Sequence, residues 1–308
     1  MSDRIELYSC DIPRQKDKDW KDFYNPSDDV FGKNVIAVFG GTGSLGTIMV
    51  ENLLCLNPLK ILIVCNNENE IWESKNYFMR HELIDWIFCD IRDFKELEKI
   101  FMGYRPNLVF NCAALKHIGF CEDFVMNAIK TNILGLENLL YLSNNYGVRK
   151  FVQISTDKAV EPISVMGATK FIGERMCKAW NSNRFNVSVV RLGNVLESRG
   201  SLIPQIRNDM KRLGEIFITD KEMERFFITK EDVSLFIEKV VSEMKGGEIF
   251  IPKLTLRKIM DIVNPILEES PLRTKTNFIG RKFNEKLKEK LYSEYEFVID
   301  LDWCYKIE

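Results

Sequence analysis

Val35-Ile-Ala-Val-Phe39 runs directly into Gly40-Gly41-Thr42-Gly43-Ser44-Leu45-Gly46 and then into Thr47-Ile-Met-Val-Glu-Asn-Leu-Leu54. The first five residues read as a buried strand, and the last eight carry the apolar spacing of a helix. Between them, Gly40, Gly43 and Gly46 recur every third position. At such a turn the first glycine reverses the chain and the second lets the backbone approach a pyrophosphate. The third lets the helix pack closely on the strand, with its first amides facing the anion. The predicted cofactor contacts here are Gly40, Thr42, Gly43, Ser44, Leu45 and Gly46.

Working outward, short β-branched runs alternate with longer helical patterns. The predicted strands are Val35 to Phe39, Lys60 to Cys65, Asp85 to Cys89, Asn107 to Asn111, Phe151 to Ser155 and Val187 to Leu192. That rhythm is the signature of a parallel, doubly wound α/β sheet. Helices are expected over Asp123 to Tyr146 and Ser164 to Trp180. After Asn194 the pattern turns mostly helical, with Glu248 to Pro252 returning one strand to the sheet. The resulting division has three parts. An N-terminal surface arm covers 1–31. A dinucleotide-binding domain takes 32–194 with about 229–254, and a smaller, mostly helical substrate lobe takes 195–228 with about 255–308.

Composition narrows the chemistry. With 43 Lys+Arg against 45 Asp+Glu over 308 residues, no global field favours a polyanion, so nucleic acid is not an expected partner. Eight scattered cysteines without a C-x-x-C pair, and only His81 and His117, argue against a metal site and a disulfide framework. The longest apolar runs fall far short of the ~20 residues of a membrane-spanning helix, and the first residues lack the order of a secretory signal. A cytoplasmic protein without a membrane span is the expectation.

Four further positions carry chemistry. Phe151-Val-Gln-Ile-Ser155 ends in Thr156-Asp157-Lys158, which places a hydroxyl, a carboxylate and an amine at the carboxyl end of a strand, where doubly wound sheets bind ligands. Lys170 follows Met166 by four residues and so shares its helix face. After the second strand, where dinucleotide sites place an acid for the ribose hydroxyls, the chain has Cys65-Asn66-Asn67-Glu68. Asn66 and Glu68 are the candidates there, and with no arginine beside them in sequence NAD is slightly favoured over NADP. Asp90-Ile91, after the third strand, offers a carboxylate for an adenine amino group, or simply a strand-end cap.

At these residues the chain resembles the extended short-chain dehydrogenase/reductase superfamily, and within it the bacterial polysaccharide-biosynthesis UDP-N-acetylglucosamine 4,6-dehydratases. The resemblance is carried by the glycine turn, Ala113-Ala114-Leu115-Lys116-His117, Lys130-Thr131-Asn132, Ser155-Thr156-Asp157-Lys158-Ala159-Val160, Met166-Gly167-Ala168-Thr169-Lys170, and Arg191-Leu192-Gly193-Asn194-Val195 through Ser198-Arg199-Gly200-Ser201. It spans about residues 33 to 291. It implies a Rossmann-like fold, a tightly held nicotinamide and a redox-neutral hydro-lyase acting on a UDP-N-acetylhexosamine. Hydride would leave sugar carbon 4, water would be lost across carbons 5 and 6, and hydride would return to carbon 6.

The resemblance also implies residue roles. Thr156 would hydrogen-bond the 4-hydroxyl, Asp157 would protonate the leaving 6-hydroxyl, and Lys158 would take the carbon-5 proton. Lys170 would grip the nicotinamide ribose, with Ala113 and Ala114 also at the cofactor. Met166 stands where most of the superfamily has a catalytic Tyr. Because a thioether takes no proton, the first deprotonation falls to Thr156 with a lysine or water, or to Asp157. Substrate contacts would come from Lys116, Asn132, Asn194, Arg199, Thr219, Arg225, Lys282 and Glu285. His117 is as readily a core residue as a site residue. The family's Gly-x-Arg-Pro-Gly-Glu-Lys-Leu reads here Gly280-Arg281-Lys282-Phe283-Asn284-Glu285-Lys286-Leu287, so a lysine replaces the expected arginine. Alternatives are a nucleotide-sugar epimerase, at carbon 4 or as a dehydratase inverting carbon 5, and an inactive nucleotide-binding scaffold. A homo-oligomer is expected.

Overall fold

The computed structural model describes residues 31–270 and 273–308; the expected surface arm, apart from Phe31, lies outside the described residues. A nine-stranded sheet forms the centre, in the order β13-β14-β10-β6-β5-β4-β1-β2-β3. Its strands are β1 (Val35–Phe39), β2 (Lys60–Cys65), β3 (Ile84–Phe88), β4 (Leu108–Asn111), β5 (Lys150–Thr156), β6 (Asn186–Leu192), β10 (Ile249–Pro252), β13 (Val298–Asp300) and β14 (Cys304–Ile307). From β3 across to β10 every pairing is parallel. The two final strands join antiparallel. This is the doubly wound, Rossmann-like α/β fold.

The apolar strand runs follow from burial on both faces. Ile36 and Val38 of β1 and Val152 and Ile154 of β5 pack into one layer, which includes Val233, Phe236 and Val240 of the helix α9 (Lys230–Glu243). Ala37, Phe39 and Phe151 pack into the opposite layer with Leu136, Leu139 and Leu140 of α6 (Gly135–Asn145).

The helix expected over Asp123 to Tyr146 runs from Val125 to Asn145, with a π-helical turn in its middle. A short helix Val125–Ile129 follows Phe124, whose backbone leaves the helical region, and a π-helical turn over Lys130–Leu134 leads into α6. The helix ends at a glycine C-cap: the chain leaves α6 at Tyr146, and Gly147 takes φ +80°. The helix α7 (Val165–Trp180) starts where its cap demands, because Ser164 Oγ accepts from the Gly167 amide at 3.1 Å.

The smaller lobe has α8 (Leu202–Leu213) and α10 (Ile259–Glu269) around a separate core that includes Ile203, Ile206, Ile262 and Ile266. It also holds more strand than its sequence pattern implies. The strands β7 (Asn194–Val195), β9 (Glu224–Ile228) and β11 (Leu256–Lys258) form one small sheet. A second is made by β8 (Glu215–Ile218) and β12 (Lys275–Phe278). Residues 298–307, expected in the lobe, return to the central sheet. These strands are two to five residues long, too short to declare a period of two.

Candidate active site

The glycine turn is built as its spacing requires. Gly40 takes φ +72°, and a Cβ there would sit 2.8 Å from the Ala113 amide nitrogen. A Cβ on Gly46 would sit 2.4 Å from the Gly40 carbonyl oxygen, so helix and turn touch through backbone alone. The helix α1 (Ser44–Leu54) is N-capped by Gly43, with no side-chain cap and no acidic residue in its first turn. Its first amides and the positive end of its dipole are therefore left for an anion.

Around this turn the predicted residues separate. Glu68 is exposed at the start of α2 (Glu68–Tyr77). The acid that reaches the turn is Glu70, whose Oε2 accepts from Thr42 Oγ1 at 2.6 Å. Asn67 caps this helix by accepting from the Glu70 amide at 3.2 Å. The pattern Asn-x-x-Glu is the signal that locates Glu70 on the inward side of the first turn.

Asn66 donates to Asp90 Oδ2 at 2.8 Å. Arg92 grips the same carboxylate with Nε and Nη2, at 2.9 and 2.6 Å, and holds Asp90 down at about 2. No arginine stands beside Glu68 in the sequence, yet the fold brings Arg92 to Asp90 and Arg199 to Glu70, at 3.2 Å. Ile91 is buried, and its side chain occupies the space where a Cβ on Gly135 would lie. Leu45 packs against the core. Ala113 and Ala114 line the exit of β4, where Asn111 Oδ1 accepts from the Ala113 amide.

At the carboxyl end of β5 the hydroxyl, carboxylate and amine meet. Thr156 Oγ1 donates to Asp157 Oδ1 at 3.0 Å, and Lys158 Nζ donates to the same oxygen at 3.0 Å and to Asn194 Oδ1 at 2.9 Å. Asp157 is wholly buried, and its Oδ2 has no hydrogen-bond partner among the described residues. Glu289, buried on the C-terminal segment, lies 3.9 Å from Lys158 Nζ and 3.4 Å from Lys286 Nζ. Sequence reasoning missed Glu289, because charges alternate along 285–290 with no period to single one out.

Lys170 donates to the Ile154 carbonyl at 2.9 Å, which ties α7 to β5. Burial pulls its ammonium down to about 8. Met166, one turn earlier, is buried with Cys121 and Ala128.

A second layer holds this strand end. Ser155 Oγ donates to Glu174 Oε1 at 2.6 Å, and Arg191 engages Glu174 through Nε and Nη2, at 3.1 and 2.7 Å. The same guanidinium reaches Glu296 and the Leu291 carbonyl. Arg191 has no exposed surface, so its charge is balanced wholly by these groups.

The predicted substrate contacts are scattered in role. Asn132 uses its amide on the Leu115 backbone and on Thr169 Oγ1, at 2.8 to 3.0 Å, and so positions the loop after β4. Lys116 donates to the Arg199 carbonyl at 2.7 Å. His117 is the N-cap residue of the short helix Ile118–Asp123, and burial lowers its pKa. Arg199 lies on the glycine turn. Arg225 is buried and donates to the carbonyls of Glu224 and Leu287. Thr219 meets Met223 Sδ at 3.5 Å, Lys282 is exposed, and Glu285 is half-buried with Oε2 unpaired among the described residues. No group of three or more His, Cys, Asp or Glu among the described residues is arranged to hold a metal ion, and no described helix is long and apolar enough to cross a membrane.

Known proteins are similar to this chain in sequence and in fold. An uncharacterized membrane protein of Methanocaldococcus jannaschii is 37% identical over 274 residues, 85% of this chain and 81% of its own. A UDP-N-acetylglucosamine 4,6-dehydratase (inverting) of Campylobacter jejuni is 34% identical over 280 residues, 87% of this chain and 82% of its own. A UDP-glucose 4-epimerase of Rickettsia akari is 30% identical over 287 residues, covering 90% and 84%. Among solved structures, Pen from Bacillus thuringiensis superposes with a TM-score of 0.85 at 29% identity, covering 90% of this chain and 88% of that one. The family described as polysaccharide biosynthesis protein matches residues 36–304. This chain belongs to that family.

Proposed function

We propose that this protein removes water across carbons 5 and 6 of a UDP-N-acetylhexosamine, most simply UDP-N-acetylglucosamine, to give a 4-keto-6-deoxy sugar nucleotide. The observation that carries the reading is the Thr156, Asp157 and Lys158 cluster, its carboxylate wholly buried, held to Asn194 at the mouth of the sheet. The relative named as a dehydratase supports it.

The turn fits a nicotinamide dinucleotide, since side chains at Gly40 and Gly46 would collide with backbone and the α1 amides are uncapped. Gly40, Thr42, Gly43, Ser44, Leu45 and Gly46 would hold its pyrophosphate. Asn66, Asp90 and Ile91 would serve the adenosine end, and Ala113, Ala114 and Lys170 the nicotinamide end. We favour NAD, because Arg92 and Arg199, the guanidiniums that the fold brings beside the turn, are paired with Asp90 and Glu70. When bound, the nicotinamide supplies the hydride acceptor and donor that makes a transient 4-ketone.

That ketone acidifies the carbon-5 proton, and Lys158, acting as the neutral amine, is the base that takes it and later returns it. The 4-hydroxyl proton passes through Thr156 Oγ1 to Asp157, along the 3.0 Å hydrogen bond between them. Asp157 hands it to the departing 6-hydroxyl, which leaves as water. The proton count closes without a phenol, so the thioether of Met166 is compatible with turnover.

In the substrate lobe Thr219, Arg225, Lys282 and Glu285 would meet the nucleotide diphosphate and uridine, with Lys116 near the sugar. A 4-epimerase is the second reading, favoured by the Rickettsia relative's name. It needs no acid for a leaving hydroxyl, and the buried Asp157 to Lys158 pair speaks against it. Incubation with UDP-N-acetylglucosamine followed by mass spectrometry separates the two. Loss of one water supports the dehydratase, a new sugar of unchanged mass supports the epimerase, and no conversion of several UDP-sugars overturns both.

A further inference from the structure

Loop Glu197–Gly200 leaves the substrate lobe and lies across the dinucleotide turn, more than 150 positions away in sequence. Apart from the Glu197 carboxylate, which pairs with Arg207 of α8, the side-chain attachments of the loop fall on that turn or beside it. The Arg199 amide donates to Ser44 Oγ at 2.8 Å, and Nη2 donates to the Thr42 carbonyl at 2.6 Å. Nη1 reaches Glu70 Oε1 at 3.2 Å, while the other oxygen of that carboxylate is held by Thr42 Oγ1. From the far side Lys116 Nζ donates to the Arg199 carbonyl at 2.7 Å.

The backbone is shaped for this crossing. Glu197 takes φ +55° and Gly200 φ +70°. A Cβ on Gly200 would sit 2.6 Å from His117 Cε1, so only glycine lets the loop settle onto the imidazole. Two cations, Lys116 and Arg199, are thereby brought together beside an anion-binding turn, with Arg199 paired to Glu70. Partial burial, and then the Arg199 charge, lower the Lys116 pKa.

We propose that Glu197–Gly200 is a clasp that closes over the bound dinucleotide, with Arg199 as its fastening residue, so that the cofactor is retained from one turnover to the next. The proposal rests on the reading that the glycine turn holds a nicotinamide dinucleotide. A reaction that returns its hydride within one cycle needs no cofactor exchange, and a closed clasp suits it. An enzyme that exchanges its cofactor every cycle would be slowed by one. The ion pair to Glu70 is half-exposed and weak alone. The fastening therefore lies in the combination of guanidinium, backbone amide and carbonyl contacts.

The test measures nicotinamide content after gel filtration, and the rate at which bound cofactor exchanges with isotopically labelled NAD, in the wild-type chain, Arg199→Ala, Arg199→Lys and Gly200→Ala. Retained cofactor in the wild type, with exchange at least tenfold faster in Arg199→Ala and intermediate in Arg199→Lys, supports the clasp. Gly200→Ala lifts the loop off His117 without removing a charge, and is expected to speed exchange as well. If the wild type holds cofactor and both Arg199→Ala and Gly200→Ala exchange it at the wild-type rate, the clasp is overturned and the dehydratase reading stands. If the wild type neither carries nor takes up a nicotinamide dinucleotide, the reading of the turn fails, and the clasp with it.

Discussion

Lys158 Nζ and Asp157 Oδ1 form a 3.0 Å ion pair in which the carboxylate has no exposed surface. Both residues project from one strand end, so each is the other's nearest counter-charge. Removing one partner of a buried pair costs about 3–5 kcal/mol, unless the remaining group can neutralise itself. Lys158→Met is therefore expected to lower kcat by at least ~10²-fold, to retain bound cofactor and to lose stability. Adding Asp157→Asn should recover stability without recovering turnover. Full turnover in Lys158→Met would remove Lys158 from the base role.

Asn194 holds the lysine from the other side, at 2.9 Å. Asn194→Ala leaves the charges in place and frees the ammonium to wander, so the expected effect is on kcat, on the order of tenfold, with KM changed much less. Steady-state kinetics checks this, and a change confined to KM would place Asn194 on the substrate instead.

Gly46→Ala tests the turn itself. The added methyl would meet the Gly40 carbonyl at 2.4 Å and Gly41 Cα at 2.5 Å, and backbone atoms cannot swing aside. Loss of bound cofactor, with a lowered melting temperature, is the expected outcome by cofactor analysis and thermal unfolding.

The Arg191, Glu174 and Glu296 triad is a stability element with a functional neighbour. Arg191→Met leaves two buried carboxylates without their cation, at a cost of about 3–5 kcal/mol in denaturant unfolding. Arg191→Lys retains the charge but cannot grip both carboxylates in a fork, so a partial loss is expected.

Glu238 sets a pH dependence. It lines a small cavity with Phe31, Met49 and Ser234, and burial pushes its carboxyl up to about 7 from 4.5. The raised value means that the folded state prefers the protonated form. Its contribution is fully present below about 4.5, is lost as pH rises towards about 7, and stays flat above that. At roughly 1.4 kcal/mol per pH unit, the loss is on the order of 3–4 kcal/mol. Glu238→Gln should flatten this part of the stability profile and raise stability at pH 7.5, as read from urea unfolding across pH 4 to 8.

The parts legible in the sequence were those encoded locally. The glycine turn, the strand end at Thr156 to Lys158 and the Ser164 cap each depend on residues within a few positions of one another. The π-helical turn over Lys130–Leu134 was not legible, because apolar residues keep helical spacing through it. Glu70 was overlooked in favour of Glu68 although its capping pattern was visible. Arg191 with Glu296, Lys158 with Glu289, and Arg199 with Thr42 are separated by 105 or more positions, and no spacing rule joins such pairs. They follow from the topology, which is why the second layer of the site emerged only from the fold.

The antiparallel return of residues 298–307 also governs how the folded protein behaves in a crowd. A parallel sheet ending at β10 would present a row of unpaired amides and carbonyls to any passing strand. The β14 strand occupies that row from Ile249 to Pro252, and β13 covers β14 in turn with a strand of only three residues. A chain cut before Val298 would keep the proposed catalytic trio and the nucleotide turn but expose a sticky border. Its first defect would be self-association at high concentration, visible by light scattering before any loss of chemistry.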